Sequence, residues 1–187
     1  MKILFSVILL LSISHMQAQE LPYYEIPESA ENYTAGSVAG RMVDGLGFRY
    51  YWSTENLTEK DLAFQSAAEA RTTQETIAHI YSLSNTLLKY TNTKFEQSKP
   101  REEMSFAEMR AQTLYNLEAV SNRVKVSEDV SEFDTKKDGK TTVPFYYLIN
   151  GPIADAIWHT GQLASYRRSS GNPINSKINH FSGTVRK

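Results

Sequence analysis

The sequence predicts an all-α fold, a four-helix bundle, on three observations. Four long segments repeat apolar residues at spacings of three and four, the pattern of helices that bury one face. Two of them open on a capping box, Thr72-Thr73-Gln74-Glu75 and Ser105-Phe106-Ala107-Glu108, in which the first side chain and the last satisfy each other's orphan backbone N–H groups. The fourth closes on Arg167-Arg168, favourable at the negative end of the helix dipole, and then on Gly171-Asn172-Pro173 as a stop. Short connections between such segments make them antiparallel neighbours around one core.

Residues 1–19 precede the fold. Lys2 supplies a positive start, Ile3 to Ile13 an apolar run, and Ala18 or Gln19 a cleavage position, which together describe a secretory signal peptide. The run is far shorter than the roughly 20 apolar residues that span a bilayer as a helix. With no cysteine to carry a lipid, the expected product is exported, periplasmic or secreted, and residues 20–187 form a single domain.

The first helix is expected over Thr34–Glu55, with Val38, Met42, Leu46 and Tyr50 as an i, i+4 ladder and Val43 beside it. Gly40, Gly45 and Gly47 weigh against helix by about 1 kcal/mol each and point to close backbone approach. The second, Thr72–Thr91, presents Ile77, Ile80, Leu83, Leu87 and Leu88, and His79 shares the direction of Leu83 and Leu87. The third, Ser105–Lys125, carries Phe106, Met109, Thr113, Leu117, Val120 and Val124. Residues 126–144 follow as a charged excursion with Asp138-Gly139 at its tip, which fits either a small hairpin or a mobile loop. The fourth, Pro152–Arg168, starts at "NGP", where Asn150 offers a cap and proline sits in the first turn. A polar tail ends the chain.

Composition narrows the chemistry. Twenty Lys and Arg against 21 Asp and Glu are interspersed along the chain, and removal of Lys2 with the leader makes the balance one unit more negative. Nucleic acid is not the expected partner. A small-molecule substrate is, with no membrane contact after cleavage, and a homodimer is compatible with the bundle. The absence of cysteine excludes disulfides and thiolate nucleophiles, which leaves His, carboxylates, hydroxyls or a metal.

Asp155 and His159 are spaced i, i+4, so both point one way with Cβ atoms roughly 5–6 Å apart. Neighbouring helices of a bundle bring His79 to them, and two imidazoles with one carboxylate make a three-ligand metal site with room for water or substrate. Zinc is the first expectation, and iron, nickel or manganese also suit the set. Each residue has a structural alternative. His79 could be a core histidine bonded to a carbonyl, Asp155 a first-turn acid at a helix N-terminus, and His159 its i, i+4 charge partner. Gln162 and Tyr166 extend the same face as pocket lining, although a core aromatic with its hydroxyl at the rim explains Tyr166 equally.

The string "DAIWHTGQ", residues 155–162, resembles the last-helix motif of the DinB-like superfamily of four-helix bundles. His79 matches that family's second-helix ligand and His159 the histidine before Gly161-Gln162, while Asp155 stands where the family has its first last-helix histidine. The resemblance covers nearly the whole mature chain in helix order. It implies a divalent metal site at one end of the bundle and, from its better-understood branches, thiol S-transfer or thiol-dependent isomerisation. The expected function is therefore that of a metal-dependent hydrolase or transferase. Its rival is a non-catalytic binding protein on the same bundle with the site lost or repurposed.

The remaining candidates have plainer explanations. Trp158 is expected to pack, Arg167 and Arg168 to complement the helix end although they could recognise an anion, and His180 to lie at the surface. The aromatic clusters "YYEIP" and "FRYYW" are expected to close the core, with no basic stripe beside them to read nucleic acid.

Overall fold

A computed structural model describes residues 20–94 and 99–187, so the leader assigned to 1–19 lies outside the described residues. The chain is mainly α-helical: α1 Ala35–Thr54, α2 Glu59–Leu62, α3 Thr73–Tyr90, α4 Phe106–Val124, α5 Phe145–Leu148 and α6 Ala154–Ser170, with a π-helical segment, Ile149–Ile153, joining the last two. Two small antiparallel hairpins complete it, β1 Thr135–Lys137 with β2 Lys140–Val143, and β3 Ile178–Asn179 with β4 Thr184–Val185. Among the described residues no helix is long and apolar enough to cross a membrane.

Both capping boxes form where the sequence puts them. The Thr72 N–H donates to Glu75 Oε2 at 2.8 Å and the Glu75 N–H to Thr72 Oγ1 at 3.1 Å. The Ser105 N–H donates to Glu108 Oε2 at 2.8 Å, with the reciprocal bond at 3.3 Å. A third box, Thr34 with Ser37, starts α1.

The stripe that α1 buries is Ala39, Val43, Leu46 and Tyr50, and the outer half of the expected ladder, Val38 and Met42, is exposed. A strict i+4 ladder drifts by about 40° per step on a 3.6-residue helix, so four rungs cannot share one face. The glycines follow close approach at two positions. A Cβ on Gly40 would sit 2.7 Å from the Lys125 Cβ at the end of α4, and one on Gly47 would sit 2.4 Å from the Tyr23 ring.

The fourth segment differs most. Its helix begins at Phe145, after Pro144 as N-cap, not at Pro152, and runs to Ser170. The opening N–H groups find a tertiary partner, since the Phe145 N–H donates to Asp134 Oδ1 at 2.8 Å, and Phe145, Leu148 and Ile153 are buried. Pro152 has no N–H and its ring crowds the carbonyl four residues back. The π segment widens the helix at that place and lets it continue.

Helix α1 packs on α4 and α6, and α3 packs on the same two. Helices α1 and α4 run antiparallel, with Gly40 beside Lys125 at one end and the Arg110 Nε donating to Thr54 Oγ1 at the other. The core between the four long helices holds Leu46, Tyr50, Ile80, Leu114, Leu117 and Leu163. The charged excursion is a hairpin whose tip residues, Asp138 and Gly139, both have positive φ (51° and 74°), the conformation that an Asp-Gly pair adopts at least cost. The C-terminal segment is more than a polar tail: Ile178 packs with Phe48 and Trp52 in a second small core.

Candidate metal centre

His79, from the N-terminal half of α3, meets Asp155 and His159, from the start of α6. The carboxylate divides itself between the imidazoles, with Oδ2 3.1 Å from His79 Nε2 and Oδ1 3.4 Å from His159 Nε2. The two rings are 4.7 Å apart and nearly perpendicular, and one ligand atom from each of the three residues lies within 4.8 Å of the others.

Asp155 and His159 reach this edge from one flank of α6. Around α6, Ala156, Thr160, Leu163 and Arg167 form the buried stripe, and the row Asp155, His159, Gln162 flanks it on the α3 side. Side-chain exposure is 29 % for His79, 40 % for Asp155 and 12 % for His159. The triad thus lies on an open flank between α3 and α6 rather than deep inside.

The corrected helix start removes the main structural explanation of Asp155. An acid in a free first turn is stabilised by unpaired N–H groups and the dipole. Asp155 has ten helical residues before it, Phe145–Leu148, Ile149–Ile153 and Ala154, so no free N-terminus is at hand. Its partners are the two imidazoles.

Gln162 sets the chemistry of His159. Its Oε1 lies 2.7 Å from His159 Nδ1. An amide oxygen only accepts, so with Oε1 turned to the ring Nδ1 is the donor, which leaves Nε2 free to present its lone pair to Asp155. A lone pair aimed at a carboxylate needs a cation between them, a proton or a metal ion. An outer partner on the second ring nitrogen is also how metal-ligating histidines are oriented. The donor set, two imidazole nitrogens and a carboxylate oxygen, fits a divalent transition metal.

Tyr166 stays out of this group. Its ring packs on Phe64 at 5.5 Å and its hydroxyl accepts from Ser66 at 3.4 Å, in the connection before α3. Trp158, expected to pack, is 71 % exposed, because it projects from the outer side of the Asp155 row. Arg167 does more than complement the helix end. It is buried and donates to the carbonyls of Trp52 and Glu55, both at 2.8 Å, and of Asn172 at 2.7 Å.

Sequence reasoning missed the surroundings of His79. A cleft of about 310 Å³ opens beside it, lined by Arg71, Glu75, Ser82 and Arg101. Arg71 and Arg101 belong to connections, where no periodicity assigns a direction. Glu75 shared the face of His79 at i−4 and could have been noticed. Its carboxyl is held below the usual range, first by the Thr72 backbone N–H and then by the Thr72 hydroxyl.

Compared with protein-family models, with curated proteins and with solved structures, the chain matches none.

Proposed function

We propose that this chain is an exported protein of DinB-like four-helix-bundle architecture that holds one divalent metal ion through His79, Asp155 and His159 and uses it in hydrolysis or group transfer on a small molecule. The bundle is supported by the packing of α1 and α3 each against both α4 and α6. The metal site rests on one observation above the others: three ligand atoms from two helices converge within 4.8 Å, with Gln162 engaging His159 Nδ1 and leaving Nε2 to face the shared point.

A divalent ion held there supplies Lewis acidity and a nucleophile near neutral pH. The chain's own residues do the rest. Gln162 orients His159, Asp155 spans the two imidazoles, and Arg71 and Arg101 place positive charge on the wall of the cleft beside His79, where an anionic group of a substrate fits. Zinc is the first expectation for this donor set, ahead of iron, nickel and manganese.

The test is the metal content of protein purified without a polyhistidine tag, read by plasma mass spectrometry. Wild type is expected to carry close to one ion per chain, and His79→Ala, Asp155→Ala and His159→Ala each to carry at least ten-fold less while keeping the helical circular-dichroism spectrum. A wild type that stays metal-free after incubation with each of the four ions overturns the proposal.

A further inference from the structure

On the opposite side of α6 from the metal row, about 180° around the helix, is a larger cavity of about 530 Å³. Its walls come from α1, α6 and the C-terminal segment, and its charged lining is Arg49, Arg168 and His180, with no acidic residue among the lining side chains. In a chain whose overall balance is −1, that is a local excess of positive charge. Arg49 uses Nη1 on its own helix, at the Gly45 carbonyl 2.9 Å away, and Arg168 makes no hydrogen bond or ion pair among the described residues.

Three cationic or ionisable groups around one cavity repel one another unless something negative joins them. The repulsion shows in His180, whose imidazole is pushed below its ordinary range first by burial and then by Arg49 and Arg168. The sequence gives His180 no role beyond surface, yet its ring is anchored edge-on to Phe48 at 5.8 Å, which fixes it at the cavity wall. The α6 wall is cut low by Gly161 and Ala164, and a Cβ on Gly161 would meet nothing within 4 Å. Ile157 and Ile174 make part of the lining apolar.

We propose that this cavity is a second binding site, independent of the metal, for a small phosphate monoester: the phosphoryl dianion between Arg49 and Arg168, and the organic part over Gly161 and Ala164 against Ile157 and Ile174. Two guanidinium charges match one dianion, and guanidinium forks suit phosphoryl oxygens. A cavity with low-dielectric walls focuses that field on its contents.

Titration calorimetry of the full chain, stripped of metal with a chelator, tests the assignment with phenyl phosphate as probe and phenol as its uncharged control. One phenyl phosphate per chain is expected, with no saturable binding of phenol. Arg49→Gln and Arg168→Gln are each expected to weaken binding at least ten-fold, and Ala164→Phe, which fills the cavity and leaves every charge in place, to abolish it. Arg168 is exposed, so its variant remains informative if Ala164→Phe fails to fold. His159→Ala is expected to bind phenyl phosphate as wild type does, which separates this site from the metal centre. The proposal is overturned if phenyl phosphate does not saturate, if neither arginine variant changes its affinity, if His159→Ala loses it, or if the chain binds phosphatidic acid vesicles but not phenyl phosphate.

Discussion

Two polar clusters at opposite ends of α6 use the same kinds of side chain to opposite ends. At the C-terminal end, Asp61 accepts from the Ser170 hydroxyl at 2.5 Å and from the Asn172 amide at 2.8 Å, while Arg167 donates to three backbone carbonyls. Asp61 and Arg167 are almost fully enclosed, and their partners are all protein. At the N-terminal end, Asp155, His79 and His159 face one another across an open flank, and among the described residues only His159 has a further hydrogen-bond partner, Gln162. A saturated and closed cluster holds helices together. An acid and two imidazoles left facing each other with one side open can accept an ion.

That contrast is broken most easily at Arg167. Its removal leaves the Trp52, Glu55 and Asn172 carbonyls short of a donor, and unpaired buried acceptors cost about 1–3 kcal/mol each. Arg167→Ala is expected to lower the unfolding free energy by about 3 kcal/mol in urea titration, with one metal still bound per folded chain. A variant as stable as wild type would make the closed cluster dispensable and undo the comparison.

Asp61 carries a pH signature of the same closure. Burial pushes its carboxyl up, but hydrogen bonds from Ser170, Asn172 and Thr58 outweigh that and hold it far below the ordinary range. Because the folded value is the depressed one, the unfolded chain takes up a proton first as pH falls. The stabilisation is therefore complete above about pH 4, the ordinary aspartate value, and drains away below it. Asp61→Asn is expected to cost about 2 kcal/mol at neutral pH and to flatten the loss of stability between pH 4 and pH 2 relative to wild type, measured by thermal melts across that range. An unchanged acid profile would show that Asp61 is not the group responsible.

What the sequence made legible follows the range of the interaction involved. Capping boxes are local, so Thr72 with Glu75 and Ser105 with Glu108 could be read directly, and the spacing of Asp155 and His159 is a property of any helix. The start of the last helix was not legible, because "NGP" at 150–152 looks the same whether proline opens a helix or interrupts one. The structure resolves it through Asp134, eleven residues earlier and just before the β1–β2 hairpin, which accepts from the Phe145 N–H. Val38 and Met42 misled through helical drift, and Trp158 because an aromatic residue beside a core stripe says nothing of which side it leaves by. Arg71, Arg101 and the tail residue His180 reach their cavities through connections, where only tertiary structure sets direction.

The smallest expected change in stability belongs to Gln162, and it sharpens the comparison most. If the open cluster exists for an ion, the partner on the far side of His159 serves ligation and contributes little to folding. Gln162→Leu keeps the side-chain bulk, removes the acceptor 2.7 Å from Nδ1, and frees His159 to place its proton on Nε2, where it blocks a metal and instead faces the Asp155 carboxylate. The metal-free variant is expected to stay within about 0.5 kcal/mol of wild type, as partly exposed substitutions usually do. Its zinc affinity, followed through the fluorescence of the exposed Trp158 beside His159, is expected to fall about 10–100-fold, the range for losing an outer partner of a histidine ligand. Gln162→Glu, which restores an acceptor, should recover binding. A leucine variant that binds zinc as wild type does would mean that the proton on Nδ1 plays no part, whereas a large loss of metal-free stability would place Gln162 with Asp61 and Arg167 among the residues that close the fold.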